Sequence, residues 1–271
     1  MPGRVLVVAG SDSGGGAGIQ ADIKTIAALG GFAMTAVTAL TAQDTHGVRG
    51  IHPVPAGFVA LQMRAALEDI GADAVKTGML GDAATIVAVC EVLEALAPRL
   101  PLVVDPVLAA TGGQRLLAAE ALGVLTDRLL PRAALVTPNL PEAAALTGEA
   151  VADEAGMRRA AAALLARGAA AVLLKGGHLP GETVTDLLAT KTGVHVFHAP
   201  RIATRHTHGT GCTLASAVAV GLSQGMALEA AVARARAYVR AAIAAAPGLG
   251  AGHGPLGHMV GIDGTPLLSP E

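Results

Sequence analysis

Short β-branched runs that stop at glycine, aspartate or proline alternate along this chain with longer stretches whose apolar residues recur at helical spacing. Arg4 to Ala9 ends at Gly10 and reads as a buried first strand. A helix is expected from about Ile19 to Leu29, then a strand from Phe32 to Leu40 that empties into a loop, Thr41 to Gly47. Helical spacing returns over Ala56 to Ile70 and Ala83 to Leu96, with Cys90 on a core face, and Ala74 to Thr77 between them reads as a strand ending at Gly78-Met79. Leu102 to Val104 and Leu135 to Thr137 give two more strands, the first stopping at Asp105-Pro106. Asp153 to Arg167 reads as a helix and Ala171 to Leu174 as a strand. Thr183 to Ala189 and Val194 to Phe197 are expected to pair as an antiparallel extension, and helices Thr213 to Ser223 and Leu228 to Ala246 follow. The pattern is that of an α/β chain. Neither an internal repeat nor a linker marks a second domain, so one domain over 1–271 is expected.

Composition sharpens this picture. The chain is 52% hydrophobic yet holds three Phe, one Tyr and no Trp, so its core must be built from Ala, Val, Leu and Ile, as in helices layered on a buried sheet. A formal net charge of −2 provides no basic face, and the shortage of aromatics removes stacking platforms, which together exclude nucleic acid as a partner. Cys90 and Cys212 stand far apart and in no metal-ligand spacing, so neither a disulfide framework nor a zinc site is expected and a reducing cytoplasm fits. The first residues lack the apolar core and cleavage site of a signal peptide. Thr25 to Gln43 is uncharged and approaches membrane-spanning length, but Gly30-Gly31 divides it, so no membrane span is expected.

The candidate chemistry centres on Thr207-His208-Gly209-Thr210-Gly211-Cys212. Two glycines let the backbone approach a ligand closely, and a helix starting behind them would aim free N–H groups and a positive dipole end at an anion. Cys212 sits where the first helical turn would lower a thiol pKa, which makes it a candidate base beside an anion hole. The bland alternative is a glycine turn capping a helix over a small buried residue. The loop Gly10 to Gly18 also joins a strand to a helix. It has no Lys for a P-loop, and read from Gly14 it fails the dinucleotide fingerprint at Ile19, so it reads as a floor for a small substrate with Asp22 in reach. Gln43 carries a donor and an acceptor on one planar amide, which suits the edge of a heteroaromatic ring, and Met79 can serve as an adaptable apolar wall. Asn139 and Glu142 would project to one side of a helix start, fit either to hold Mg²⁺ through water or to form a capping box. Lys175, before Gly176-Gly177, can reach a phosphate or remain solvated.

In chain order, Gly10-Ser11-Asp12-Ser13-Gly14-Gly15-Gly16-Ala17-Gly18-Ile19-Gln20-Ala21-Asp22, Thr38 to Gln43, Thr137-Pro138-Asn139-Leu140-Pro141-Glu142, Lys175-Gly176-Gly177-His178, His208-Gly209-Thr210-Gly211-Cys212 and Gly252-His253-Gly254-Pro255 resemble the bacterial hydroxymethylpyrimidine/phosphomethylpyrimidine kinases of thiamine biosynthesis. The resemblance implies a ribokinase-like three-layer α/β/α sandwich with a mostly parallel central sheet, use of ATP and Mg²⁺, and a homodimer. It also implies two successive phosphorylations, of 4-amino-5-hydroxymethyl-2-methylpyrimidine and then of its monophosphate. By position, Gln43, Asp22, Gly10 and Met79 would hold the pyrimidine, Lys175, Asn139, Glu142 and His208 the nucleotide, and Asn139 and Glu142 the metal through water. Gly209, Thr210 and Gly211 would form the anion hole, with Cys212 as general base.

The chain departs from the family pattern at Leu108, Thr111 and Gln114, where Met, Lys and Asp are common, and at Arg205 and His206, where Lys and Asn are common. A missing lysine near the site bears most on the second step, whose acceptor is already a phosphate. Two other readings compete: a pyridoxal kinase, which shares the Gly-Thr-Gly-Cys turn and takes a hydroxymethyl on a six-membered nitrogen ring, and a catalytically silent pyrimidine binder. A scaffold has no use for so many glycine loops at strand ends.

Overall fold

The alternating runs fold into strands that pair in parallel wherever a helix carries the chain back. The computed structural model describes residues 2–110, 112–262, 264, 265 and 267. Among these, the strands are β1 (Arg4–Asp12), β2 (Phe32–Asp44), β3 (Gly47–Pro53), β4 (Ala74–Thr77), β5 (Leu102–Val104), β6 (Leu135–Val136), β7 (Ala171–Leu174), β8 (Thr183–Thr190) and β9 (Gly193–Pro200). They form one nine-stranded sheet in the order β3-β2-β1-β4-β5-β6-β7-β8-β9. β2, β1, β4, β5, β6 and β7 run parallel, and β3, β8 and β9 extend the two edges in antiparallel fashion.

The α-helices among the described residues are α1 (Gly18–Ala28), α2 (Ala56–Asp69), α3 (Ala83–Leu96), α4 (Ala121–Val124), α5 (Leu140–Thr147), α6 (Glu154–Ala166), α7 (Thr210–Ser223) and α8 (Leu228–Ala244). Strand side chains alternate between two faces. Leu6 and Val8 enter one core with residues of α2, α3, α5 and α6, whereas Val5, Val7 and Ala9 enter the other with residues of α1, α7 and α8. The result is a three-layer α/β/α sandwich whose two cores are aliphatic, as the scarcity of aromatics requires; Tyr238, fully buried, is the large exception.

The hairpin of β2 and β3 corrects the sequence reading. Residues 41–44 continue β2 rather than opening a loop, and 47–53, to which no strand was assigned, pairs with it through Thr41 opposite Ile51 and Leu40 opposite His52. β3 is an edge strand with no buried residue, so no apolar alternation announces it. The uncharged stretch from Thr25 to Gln43 divides into the end of α1, a turn at Gly30 (φ 77°) and β2. Among the described residues no helix is long and apolar enough to cross a membrane.

Candidate active site

Parallel strands deliver their carboxyl ends to one edge of a sheet, and open α/β sheets bind ligands there. Here that edge carries the loop after β1, Met79 after β4, Asp105 after β5, Asn139 after β6 and Lys175 after β7, and α7 starts against it. α7 begins at Thr210, three residues earlier than its apolar pattern indicates, so Gly211 and Cys212 lie in its first turn. Gly209 caps it with φ 85°, and a Cβ there would stand 1.8 Å from Gly16 O. Only glycine lets this turn rest on the loop after β1. The first-turn N–H groups of α7 have no acceptor within the helix; that of Thr210 turns back to Thr207 O (3.2 Å), and those of Gly211 and Cys212 lie at its positive dipole end.

On one side of this turn lies a group of opposed charges. Lys175 Nζ donates to Asp105 Oδ1 at 3.0 Å and lies 3.9 Å from Glu142 Oε2. Thr137 Oγ1 donates to Asp105 Oδ1 at 3.0 Å. A Cβ on Gly211 would approach Lys175 Nζ to 3.1 Å, so that glycine keeps the space between lysine and turn open. Asn139 and Glu142 form the capping box of α5: Glu142 N–H donates to Asn139 Oδ1 (2.9 Å) and Asn139 N–H to Glu142 Oε2 (2.8 Å). Burial pushes the Glu142 carboxyl up to about 7, and Asp105 adds to this against Lys175 and the N–H donors of Asn139 and Leu108.

On the other side, one buried carboxylate organises the glycine loop. Asp12 accepts N–H bonds from Gly14 (2.8 Å), Gly16 (3.0 Å) and Ala17 (2.8 Å), and His208 Nε2 lies 2.9 Å from its Oδ2. Burial would raise the Asp12 pKa, but His208 and these N–H donors hold it below the ordinary value. Gln43 Nε2 lies 3.3 Å from His208 Nε2, and Thr41 Oγ1 donates to Gln43 Oε1 at 3.2 Å. Gln43, His208, His46, Gly112 and His253 line a small recess. Gly10 and Met79 meet at the ends of β1 and β4, where a Cβ on Gly10 would stand 3.0 Å from Met79 Sδ. A tail strap closes the arrangement: His253 N–H donates to Thr45 O (2.7 Å), and His208 bridges to Pro255.

Two expectations need correction. Cys212 is not a thiolate favoured by the helix end: burial pushes its thiol up to about 12, with Asp22 and Asp105 acting in the same direction, against Lys76 and the Gly18 N–H. Asp22 does not face the recess. It is fully buried, and both its oxygens are taken by Lys76 (2.9 and 3.0 Å), with Ser216 Oγ donating to Oδ1 at 2.6 Å. His208, expected beside the nucleotide, stands between the glycine loop and Gln43.

The phosphomethylpyrimidine kinase family model matches residues 12–257. The chain belongs to the phosphomethylpyrimidine kinase family. It is 53% identical over 261 residues to the thiamine biosynthesis bifunctional protein ThiED of Geobacter sulfurreducens, covering 96% of this chain and 53% of that protein, so it spans about half the length of that relative. It is 52% identical to the hydroxymethylpyrimidine/phosphomethylpyrimidine kinase of Streptomyces coelicolor, covering 95% of this chain and 94% of that one. Among solved structures, an ADP complex of Bacillus subtilis pyridoxal kinase superposes with a TM-score of 0.89 at 34% identity, covering 95% and 98% of the two chains.

In this family member the sequence motifs locate Gln43, Lys175, Glu142 and the turn at Gly209, but not Asp12, Lys76, Asp105, Thr137 or Ser216. Asp105 had a signal, an Asp-Pro at a strand end beside assigned loops. Lys76 had another, a lone charge inside the apolar strand Ala74–Thr77. Thr111 lies outside the described residues. The groups around Lys175 are oxygen donors, the kind a hard divalent cation takes, and Glu142 among them is a buried carboxyl. Among the described residues no three His, Cys, Asp or Glu groups converge as direct metal ligands.

Proposed function

We propose that this chain transfers the γ-phosphoryl group of ATP to the hydroxymethyl oxygen of 4-amino-5-hydroxymethyl-2-methylpyrimidine, and then a second phosphoryl group to the resulting monophosphate. The observation that carries this is the placing of the α7 turn between two unlike sides, a cationic lysine with carboxylates on one and the Gln43–His208 recess on the other. In this reading Gln43 pairs with the aminopyrimidine edge, Gly10 and Met79 pack on the ring, and Asp22 acts from beneath through Lys76. Lys175 meets ATP phosphate, and the N–H groups at Gly209, Gly211 and Cys212 receive the charge that collects on the equatorial oxygens of a loose transition state, while Thr210, whose N–H is held by Thr207 O, shapes the turn. His208, assigned to nucleotide binding from sequence, is better supported as the tie between the α7 turn and the loop after β1, beside Gln43.

Mg²⁺, held through water by Asn139 and Glu142, would neutralise phosphate charge. As the alcohol oxygen bonds to phosphorus and the bond to the ADP oxygen breaks, the alcohol proton passes to the sulfur of Cys212, whose own proton has first left to solvent. Because burial opposes the thiolate, that form is scarce near neutral pH, and turnover is expected to rise with pH.

We place the enzyme in the cytoplasm as a homodimer. More than half exposed, Leu40 on β2 and Phe58 and Leu61 on the adjoining α2 offer apolar surface for a second copy. Sedimentation equilibrium tests this, and a monomer at micromolar concentration would refute it.

Phosphorylation of pyridoxal is the second reading, favoured by the likeness to the B. subtilis pyridoxal kinase. Comparing kcat/KM for the pyrimidine alcohol and for pyridoxal separates the two. A higher value for the pyrimidine is expected, and a higher value for pyridoxal would overturn the assignment.

A further inference from the structure

Lys76 lies beneath the site without reaching it. Its side chain is fully buried, on the interior of β4, with Nζ 2.9 and 3.0 Å from the oxygens of Asp22 on α1. Ser216 on α7 donates to the same carboxylate. A buried ion pair is a poor source of stability, since apolar replacements of similar volume are often neutral or stabilising. Its surroundings point to another use. Ser216 is four residues after Cys212, on the same helical face, and α7 packs on β4. Gly78 leaves room for the ammonium, because a Cβ there would stand 3.0 Å from Nζ. The Gly18 backbone, at the start of α1, acts with Lys76 to favour the thiolate form of Cys212. The charged groups facing Cys212 are thus Lys76 from β4, Asp22 from α1, Asp105 after β5 and Lys175 after β7.

We propose that Lys76 is a positioning residue for phosphoryl transfer: clamped by Asp22 and Ser216, its fixed positive charge stabilises the negative charge on the Cys212 sulfur. This rests on Cys212 as the proton acceptor. The thiol first loses its proton to solvent, and the sulfur then takes the alcohol proton as the phosphorus–oxygen bond forms, while Lys76 stays protonated throughout. Its ammonium is suited to that: burial would lower its pKa, but Asp22, Cys212 and Asp105 raise it well above the ordinary lysine value.

The test replaces the pair by apolar groups, Lys76→Met with Asp22→Leu, in a Cys90→Ala background so that Cys212 is the sole thiol. Lys76→Gln, which keeps a donor toward Asp22 but no charge, provides a second variant should the first not fold. The readouts are the rate of Cys212 alkylation by iodoacetamide against pH and the pH profile of kcat. Alkylation at fixed pH should fall about tenfold or more, equivalent to a shift of about one pKa unit, and the rise of kcat should move to higher pH with KM for both substrates unchanged. A folded variant with the alkylation and kcat profiles of the parent would overturn the proposal. Cys212→Ala separates the two failures: if it is fully active, the base assignment falls, and if it is inactive while the Lys76 variants behave as the parent, only the role of Lys76 falls.

Discussion

His208 Nε2 stands 2.9 Å from Asp12 Oδ2, joining two glycine-rich segments 196 residues apart in the chain. Through this contact the anion turn, the loop after β1 and Gln43 become one unit. Asp12→Ala would remove the acceptor of the Gly14, Gly16 and Ala17 N–H groups and one partner of His208. At about 1–3 kcal/mol for a buried group left unpaired, here the Gly16 N–H, a loss of about 1–3 kcal/mol in chemical denaturation is expected. KM for the pyrimidine should rise more than KM for ATP, and equal changes in both would argue against the link to Gln43.

Lys175 is the counter-charge for two carboxylates. Lys175→Met removes the hydrogen-bonded counter-charge of Asp105 and the cation beside Glu142, with an expected cost of about 3–5 kcal/mol. Adding Asp105→Asn should return part of that stability without returning kcat, because the phosphate contact stays lost. Recovery of turnover in the double variant would show that Lys175 acts only on stability.

Glu142 titrates near 7 in the folded protein, above its value of 4.5 in the unfolded chain. A raised carboxyl pKa means that the folded state holds its proton more tightly. The associated stability is complete below about 4.5 and lost as pH rises through about 7. Glu142→Gln can still accept the Asn139 N–H, so it should flatten the decline in melting temperature between those values and be the more stable form at pH 8. An unchanged slope would place the titration elsewhere.

Replacing Cys212 tests the proton acceptor. Cys212→Ala should lower kcat by about 10²-fold or more, in the range of general-base contributions, and Cys212→Asp should keep measurable turnover. Full activity in the alanine variant would remove the base role.

The layered fold was legible because its strands are apolar runs closed by glycine, aspartate or proline, as at Ala74–Thr77 and Leu102–Val104. β3 was not, since an exposed edge strand is fixed by its pairing with β2 and carries no burial pattern of its own. The turn at Gly209 and the capping box of Asn139 and Glu142 are local, and spacing reveals them. The Asp12–His208, Lys76–Asp22 and Asp105–Lys175 contacts join residues on separate elements, and only the sheet order brings them together. The same limit explains the thiol: a helix start was visible in sequence, whereas the desolvation that outweighs it depends on α1, β4 and the strand ends packed around Cys212.

The most direct measurement is a time course with the pyrimidine alcohol, ATP and Mg²⁺, following the mono- and diphosphate by mass spectrometry. The account predicts that the monophosphate rises and then falls as the diphosphate accumulates. A monophosphate that accumulates without further conversion would contradict the two-step assignment, and the absence of any phosphorylated pyrimidine would contradict the function itself.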